Sequence, residues 1–384
     1  MTDLEMPTPP KPGELTFTAP RRGKPPRHLA DLTAAERREA VAEHGIPAFR
    51  ADQVSRHYFA RLDADPSSWS DVPAAQREEL ARLLSPSLMT PVRELTADKG
   101  TTRKTLWRLH DGALVESVLM RYPDRVTMCV SSQAGCGMNC PFCATGQSGL
   151  TRNMSTAEIV EQVVAGARQL AAGDVPGGPG RVSNVVFMGM GEPLANYDAT
   201  WSAVHRLHDD LGIGARHLTL STVGLVPGIR RLATADLPVN LAVSLHAADD
   251  ELRNELVPIN RRYPLDALVE ACKDYVDRTR RRLSFEWAMI SDVNDRFEDA
   301  ERLAGIARHL RAHVNLIPLN STPGYAVRGS SRNRVHAFAE DLRRRGVNVT
   351  VRDTRGSDID AACGQLRAGH DATQLLAPPT RRTT

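Results

Sequence analysis

Between residues 125 and 353 the chain switches again and again between two hydrophobic periods. Strand-like runs occur at RVTMCVSS (125–132), RVSNVVFMG (181–189), HLTLSTV (217–223), VNLAVSLH (239–246), LSFEWAMI (283–290), HVNLIPLN (313–320) and VNVTVRD (347–353). Helical runs separate most of them. The clearest is STAEIVEQVVAGARQLAAG, where Ser155 and Glu158 form a capping box and Ile159, Val163, Ala167 and Leu170 recur at helical spacing. Such alternation predicts a parallel sheet with helices outside it, a full or partial α/β barrel. Chemistry on such sheets sits at the C-terminal ends of the strands.

The remainder divides around that core. Residues 1–27, rich in Pro, Arg and Lys, have little to bury and read as a disordered tail. Residues 28–95 carry helical runs broken by Gly-Ile-Pro, which predicts a small helical accessory domain. Residues 96–121 hold two alternating runs joined at Asp111-Gly112, a hairpin signal. The core then spans 122–356, and 357–384 form a C-terminal segment with a flexible end. The chain has 384 residues, 25% charged and 41% hydrophobic, with a net charge of +3, too small to argue nucleic-acid binding by itself. No stretch approaches the roughly 18 apolar residues of a membrane span, and the N-terminus lacks a signal-peptide core. Six cysteines in such a chain predict ligands or catalysts in a reducing cytoplasm rather than a disulfide scaffold.

Three of them, Cys136, Cys140 and Cys143, fall in CGMNCPFC directly after the first core strand. The intervening Gly137, Asn139 and Pro141 let a short loop curl so that the sulfurs converge. Structural zinc wants four ligands, commonly as two pairs, and no second CxxC exists here. A [4Fe–4S] cube on three thiolates leaves one iron open to chelate an amino-carboxylate. Further polar residues stand at later strand ends: Gly189, Gly191 and Glu192 in FMGMGEPLANY, then Ser221, Ser244, His246 and Asn320. Each alone is equally a turn-closing residue. Cys129 alternates onto the face of Thr127 and Ser131, where a functional thiol and an inert buried one are both open readings. Cys363 lies among small residues, Cys272 on an apolar helical stripe. Glu116 occupies an otherwise apolar hairpin row, where an acid is costly unless paired or used.

These motifs (PAFRADQV, CVSSQAGCGMNCPFCATG, MGMGEPLANY, LSTVGLVP, SLHA, NLIPLN and the late cysteine) resemble the RlmN/Cfr family of radical S-adenosylmethionine RNA adenosine methyltransferases, from roughly His28 to Gly369. The resemblance implies a partial (β/α)6-type radical SAM barrel with an N-terminal accessory domain. It implies that Cys136, Cys140 and Cys143 hold a [4Fe–4S] cluster, and that Gly191, Glu192, Ser221, Ser244, Leu245, His246 and Asn320 contact S-adenosylmethionine. Cys363 would become S-methylated, Cys129 would resolve the covalent intermediate as a disulfide, and Glu116 would accept the proton. The implied reaction is methylation at C2 of adenosine 2503 in 23S rRNA and of adenosine 37 in tRNA. An external flavodoxin-like electron donor is implied, with a cytoplasmic monomer as the working unit.

Two competing readings are C8 methylation of the same rRNA base, as in the Cfr branch, and a zinc-containing RNA-binding protein without chemistry. For RNA contact the candidates are the basic runs Arg278, Arg280–Arg282 and Arg343–Arg345, with Arg50, His57 and Tyr58 of the accessory domain.

Overall fold

The computed structural model describes residues 13–18, 23–320, 322, 325–353, 355–361 and 364–366. The first three strands, Met89–Ala97 (β1), Thr102–Leu109 (β2) and Leu114–Arg121 (β3), form an antiparallel meander. Val126–Cys129 (β4) continues it antiparallel to β3. Gln133–Gly135 (β5) and Leu150–Asn153 (β6) make a separate small hairpin whose arms bracket the cysteine loop. Six more strands follow, Asn184–Phe187 (β7), Leu218–Thr222 (β8), Asn240–Ser244 (β9), Leu283–Met289 (β10), His313–Pro318 (β11) and Asn348–Val351 (β12).

The main sheet has ten strands in the order β1-β2-β3-β4-β7-β8-β9-β10-β11-β12. From β4 onward all neighbours are parallel, and their order in space follows their order in sequence. Among the described residues β12 does not pair with β1, so the sheet is open rather than a closed barrel.

The switching between strand-like and helical runs located each parallel strand, and β4, β9 and β10 are largely continuous buried runs. Period-two placement also holds. Cys129 pairs with Val118, and Lys104 pairs with Val118 from the other side, so Lys104, Glu116, Val118 and Cys129 share one face.

Two features depart from expectation. The accessory region is helical over Ala34–Ala42, Phe49–Ser55 and Ala74–Leu84, but its last residues belong to β1, a third meander strand. That strand's burial is mostly on the exposed side, so it carries little hydrophobic signal. Within the stretch expected to be a disordered tail, residues 14–16 lie against the cysteine loop. Thr16 N donates to Gly137 O at 2.8 Å, and Asn139 Nδ2 donates to Glu14 O at 3.2 Å.

The helix Thr156–Ala172 begins at the expected capping box. Its Glu158 also accepts both arms of the Arg152 fork, at 2.8 and 2.7 Å, and Arg152 grips Asp111 at 2.9 and 3.0 Å. One buried arginine thus joins the meander turn, the return arm of the cysteine loop and a helix N-terminus. Among the described residues no helix is long and apolar enough to cross a membrane.

Candidate active site

The cysteine loop is held from both ends. Cys136 N donates to Gly149 O at 2.8 Å across the β5–β6 hairpin, and Cys143 N donates to Cys140 O at 3.1 Å. Cys136 and Cys140 are buried and Cys143 half-buried. Burial, reinforced by the neighbouring sulfurs, pushes the Cys136 and Cys140 thiols well above the ordinary thiol range. Thiolates in such a place call for a strongly cationic partner. Among the described residues, no three Cys, His, Asp or Glu side chains converge where a single metal ion could sit. A cube gives each thiolate its own iron and spreads the sulfurs apart, so the donor set fits an iron–sulfur cluster with three protein ligands.

All three cysteines line a cavity of about 1080 Å3, open mouth included, at the C-terminal ends of the parallel strands. Gly189, Gly191, Glu192, Ser221, Ser244, His246 and Asn320 line it too. The structure therefore gathers on one wall residues that lie up to 184 positions apart in the chain (136 to 320).

Gly191 has φ +99°, and a Cβ there would stand 2.6 Å from Gln133 Cβ, so only glycine fits. Gln133 returns the contact by accepting Glu192 N at 2.8 Å. Glu192 is buried, and its two oxygens accept Leu194 N (3.0 Å) and Val223 N (2.9 Å), stapling the ends of β7 and β8 together. Burial pushes its carboxyl up to about 7. A bound ammonium would favour its charged form.

His246 sits at φ +59°, a costly conformation for a residue with a side chain. It is held there by Asn294 Nδ2 to its carbonyl (2.8 Å) and by Ala288 N, which donates to its Nδ1 at 3.0 Å. Burial, with Arg253 nearby, pulls the imidazole down to about 3, so the ring is neutral. Because Nδ1 accepts, the proton is on Nε2, which makes His246 a hydrogen-bond donor in the cavity wall.

Leu245 does not line the cavity. Its side chain is in the core, its N–H donates to Glu286 O (3.1 Å) and its carbonyl accepts from Arg253 Nε (3.1 Å). Arg253, fully buried, also reaches Asn260 Oδ1 and Val223 O, both at 2.7 Å, and so fixes the loops after β8 and β9. Sequence reasoning missed Arg253, Gln133, Glu286 and Arg352. Polar groups that act by holding backbone carry no motif, and Arg253 falls on an ordinary helical stretch.

A second, much narrower cavity adjoins the first and shares Met188, Ile317, Asn320, Arg352 and Leu366 with it. Cys129 opens onto this one. Cys363 lies outside the described residues, but its neighbours are placed: Ala361 lines the second cavity and Gly364 the first. Gly364 O accepts Ala144 N at 2.8 Å, and Leu366 O accepts the Thr145 hydroxyl, so this segment is tied beside the three-cysteine loop. Glu116 is buried and pairs with Lys104 Nζ at 3.1 Å, a lysine rather than an arginine. The same Nζ donates to Asp360 O at 3.2 Å.

Cys272 is fully buried in the core, as its stripe implied. His57 and Tyr58 are buried as well: His57 lies between Asp63 (3.3 Å) and Asp71 (2.6 Å), and the Tyr58 hydroxyl donates to Glu161. Their side chains serve the accessory fold and present nothing to an RNA. Arg50 is half-buried and donates to Gln53 Oε1 at 2.7 Å.

Residues 130–304 match the model of the Radical SAM superfamily. A probable dual-specificity RNA methyltransferase RlmN from Thermobifida fusca is 60% identical over 361 residues, covering 93% of this chain and 99% of the relative. The protein of that name from Nocardioides sp. is 62% identical, covering 92% and 96%. A crystal structure of a radical SAM methyltransferase from Sphaerobacter thermophilus superposes with a TM-score of 0.86 at 49% identity, over 90% of this chain and all of that one. A three-cysteine loop facing a cavity at the strand ends and near-full-length likeness of this order lead to one conclusion: the chain belongs to the RlmN family of radical SAM RNA methyltransferases.

Proposed function

We propose that this protein methylates C2 of adenosine 2503 in 23S rRNA and of adenosine 37 in tRNA, with Cys363 as the methyl carrier. Cys136, Cys140 and Cys143 hold the [4Fe–4S] cluster. Gly191, Glu192, Ser221, Ser244, His246 and Asn320 surround S-adenosylmethionine, with Leu245 supporting them from behind. Bound together, cluster and S-adenosylmethionine supply the methyl group and the one-electron chemistry.

The chain's own residues do the rest. An aromatic C2 is too poor a nucleophile to attack a sulfonium methyl group, whereas the Cys363 thiolate can. In the covalent RNA–enzyme state the Glu116 carboxylate takes the C2 proton. The Cys129 thiolate then attacks the Cys363 sulfur, the bond between that sulfur and the base-bound carbon breaks, and the departing carbon takes up a proton to become the methyl group while a disulfide is left. A reductant restores the two thiols, and a flavodoxin-like donor feeds the cluster. With ribosomal and transfer RNA as substrates, the protein works in the cytoplasm.

One observation carries this reading: the cavity of Cys129 shares a wall with the cavity of the cluster ligands, and the chain on either side of Cys363 lines both. The target base reaches such a site only by leaving its stack.

The test is mass analysis of nucleosides from rRNA of cells with and without the protein. Gain of 2-methyladenosine supports the proposal, and its absence in a Cys363→Ala strain supports the carrier role. Gain of 8-methyladenosine would overturn C2 in favour of C8. Anaerobically purified protein with zinc but no iron and sulfide would return it to a binding module.

A further inference from the structure

Tyr122 lines the Cys129 cavity and reaches towards its rim, half-buried. Two guanidinium groups lie against its ring, with Arg125 Cζ 4.1 Å and Arg355 Cζ 4.3 Å from the centroid. A cation held on an aromatic face has its fork pre-organised, with donor edges left for an acceptor.

The hydrogen bonds of this cluster leave its charge largely uncompensated. Arg355 Nη1 donates to Thr101 Oγ1 and Arg121 O, each at 3.2 Å and each neutral, while its buried Nε has no partner among the described residues. Among the described residues Arg121 donates to the carbonyls of Val175, Gly177 and Gly178 without meeting a carboxylate. Among the same residues Arg125 pairs only with its exposed neighbour Asp124, a contact worth little in water. Arg352 and Asp353 line the same cavity.

The basic run Arg343–Arg345 is different. Arg343 pairs with Glu340, and Arg344 and Arg345 each reach Asp341 at 3.0 Å. That run is a charge-balanced helix face.

We propose that Arg125 and Arg355, braced on Tyr122, grip the phosphodiester backbone of the RNA beside the target nucleotide, where the strand passes the Cys129 cavity. This rests on the RNA-methylation reading. Planar forks match phosphate oxygens bidentately, and a grip at the rim holds the strand while one base is drawn inward. Tyr122 acts as the brace, since its hydroxyl donates only to the Met120 sulfur.

The test is fluorescence anisotropy of the cluster-loaded protein with a transcribed 23S rRNA fragment containing adenosine 2503, across a series of KCl concentrations. Arg125→Ala/Arg355→Ala should weaken binding by about tenfold, and the plot of log K against log salt should become shallower by about one for each arginine removed. Tyr122→Ala should weaken binding while Tyr122→Phe matches the wild type. Arg125→Glu changes an exposed side chain, so it reports even if the double variant folds poorly, and it should weaken binding further.

Variants that keep the wild-type salt slope while the wild type methylates the fragment overturn the grip alone. A wild type that neither binds nor methylates the fragment overturns the methylation reading and the grip with it. Variants that bind RNA normally but accept electrons slowly from reduced flavodoxin would overturn the grip and reassign the patch to a protein partner.

Discussion

The backbone N–H of Thr16 donates to the carbonyl of Gly137, in the middle of the cysteine loop, at 2.8 Å. The approach is so close that a Cβ on Gly137 would fall 1.8 Å from Thr16 O. Gly137→Ala is therefore expected to expel residues 14–16 from the loop while the barrel stays folded. Amide exchange at Thr16 should lose its protection, and an iron chelator should strip the anaerobic cluster several-fold faster. Unchanged exchange at Thr16 would show that the segment does not depend on this contact.

Gly191→Ala should act on cofactor binding and stability together. The φ of +99° costs a side-chain residue on the order of 1–3 kcal/mol, before the contact with Gln133 is relieved. Movement of Gln133 would free Glu192 N and open the staple between β7 and β8. Calorimetry should find S-adenosylmethionine binding weakened at least tenfold, alongside a lower Tm.

Lys104 and Glu116 separate a structural acid from a working one. Lys104→Met removes the ammonium 3.1 Å from a buried carboxylate and should cost roughly 3 kcal/mol. Lys104→Met/Glu116→Leu should recover much of that stability in urea melts. A purely structural pair predicts that methylation recovers as well; a proton-accepting Glu116 predicts that it does not.

His28 gives the protein an acid sensitivity remote from the cluster. Burial, then Arg168 and Arg37, pulls its imidazole down to about 3, and Nδ1 accepts Ala30 N at 3.1 Å. The folded state thus refuses a proton that the unfolded chain binds near 6.5. Stability from this site is complete above 6.5 and falls with pH towards 3, by about 1.4 kcal/mol per unit. His28→Asn keeps a capping acceptor without the titration. Its Tm should fall less steeply than the wild type's between pH 6.5 and 5, and parallel curves would remove His28 as the cause.

Cys129→Ala should still methylate Cys363 yet stall with RNA attached to protein through that residue. A denaturing gel with labelled RNA should show a surviving band, absent in Cys129→Ala/Cys363→Ala. An inert core cysteine predicts normal turnover with a stability loss on the order of 1 kcal/mol.

Local chemistry made much of this molecule legible in the sequence. Strand periodicity, the Ser155–Glu158 capping box and the Asp111-Gly112 turn each depend on neighbours within a few residues, and each forms where the pattern puts it. The three-cysteine spacing and the glycines of FMGMGEP are local as well. Backbone reach decides whether sulfurs in one short loop can face one cavity, and close approach demands glycine at 191. Two kinds of feature lay beyond it. Arg253 and Gln133 matter through the carbonyls and N–H groups they hold on distant loops, and any arginine or glutamine on a helix or strand reads alike before folding. Lys104 with Glu116, the stretch 14–16 with Gly137, and Arg125 with Arg355 are pairs between segments that only strand order and sheet curvature bring together. The sequence by itself determined the parallel strands, the three-cysteine loop and the chemical class. Tertiary structure alone decided which charges are paired and which cavities share a wall, because burial and distance are properties of the packed chain and not of any stretch of it.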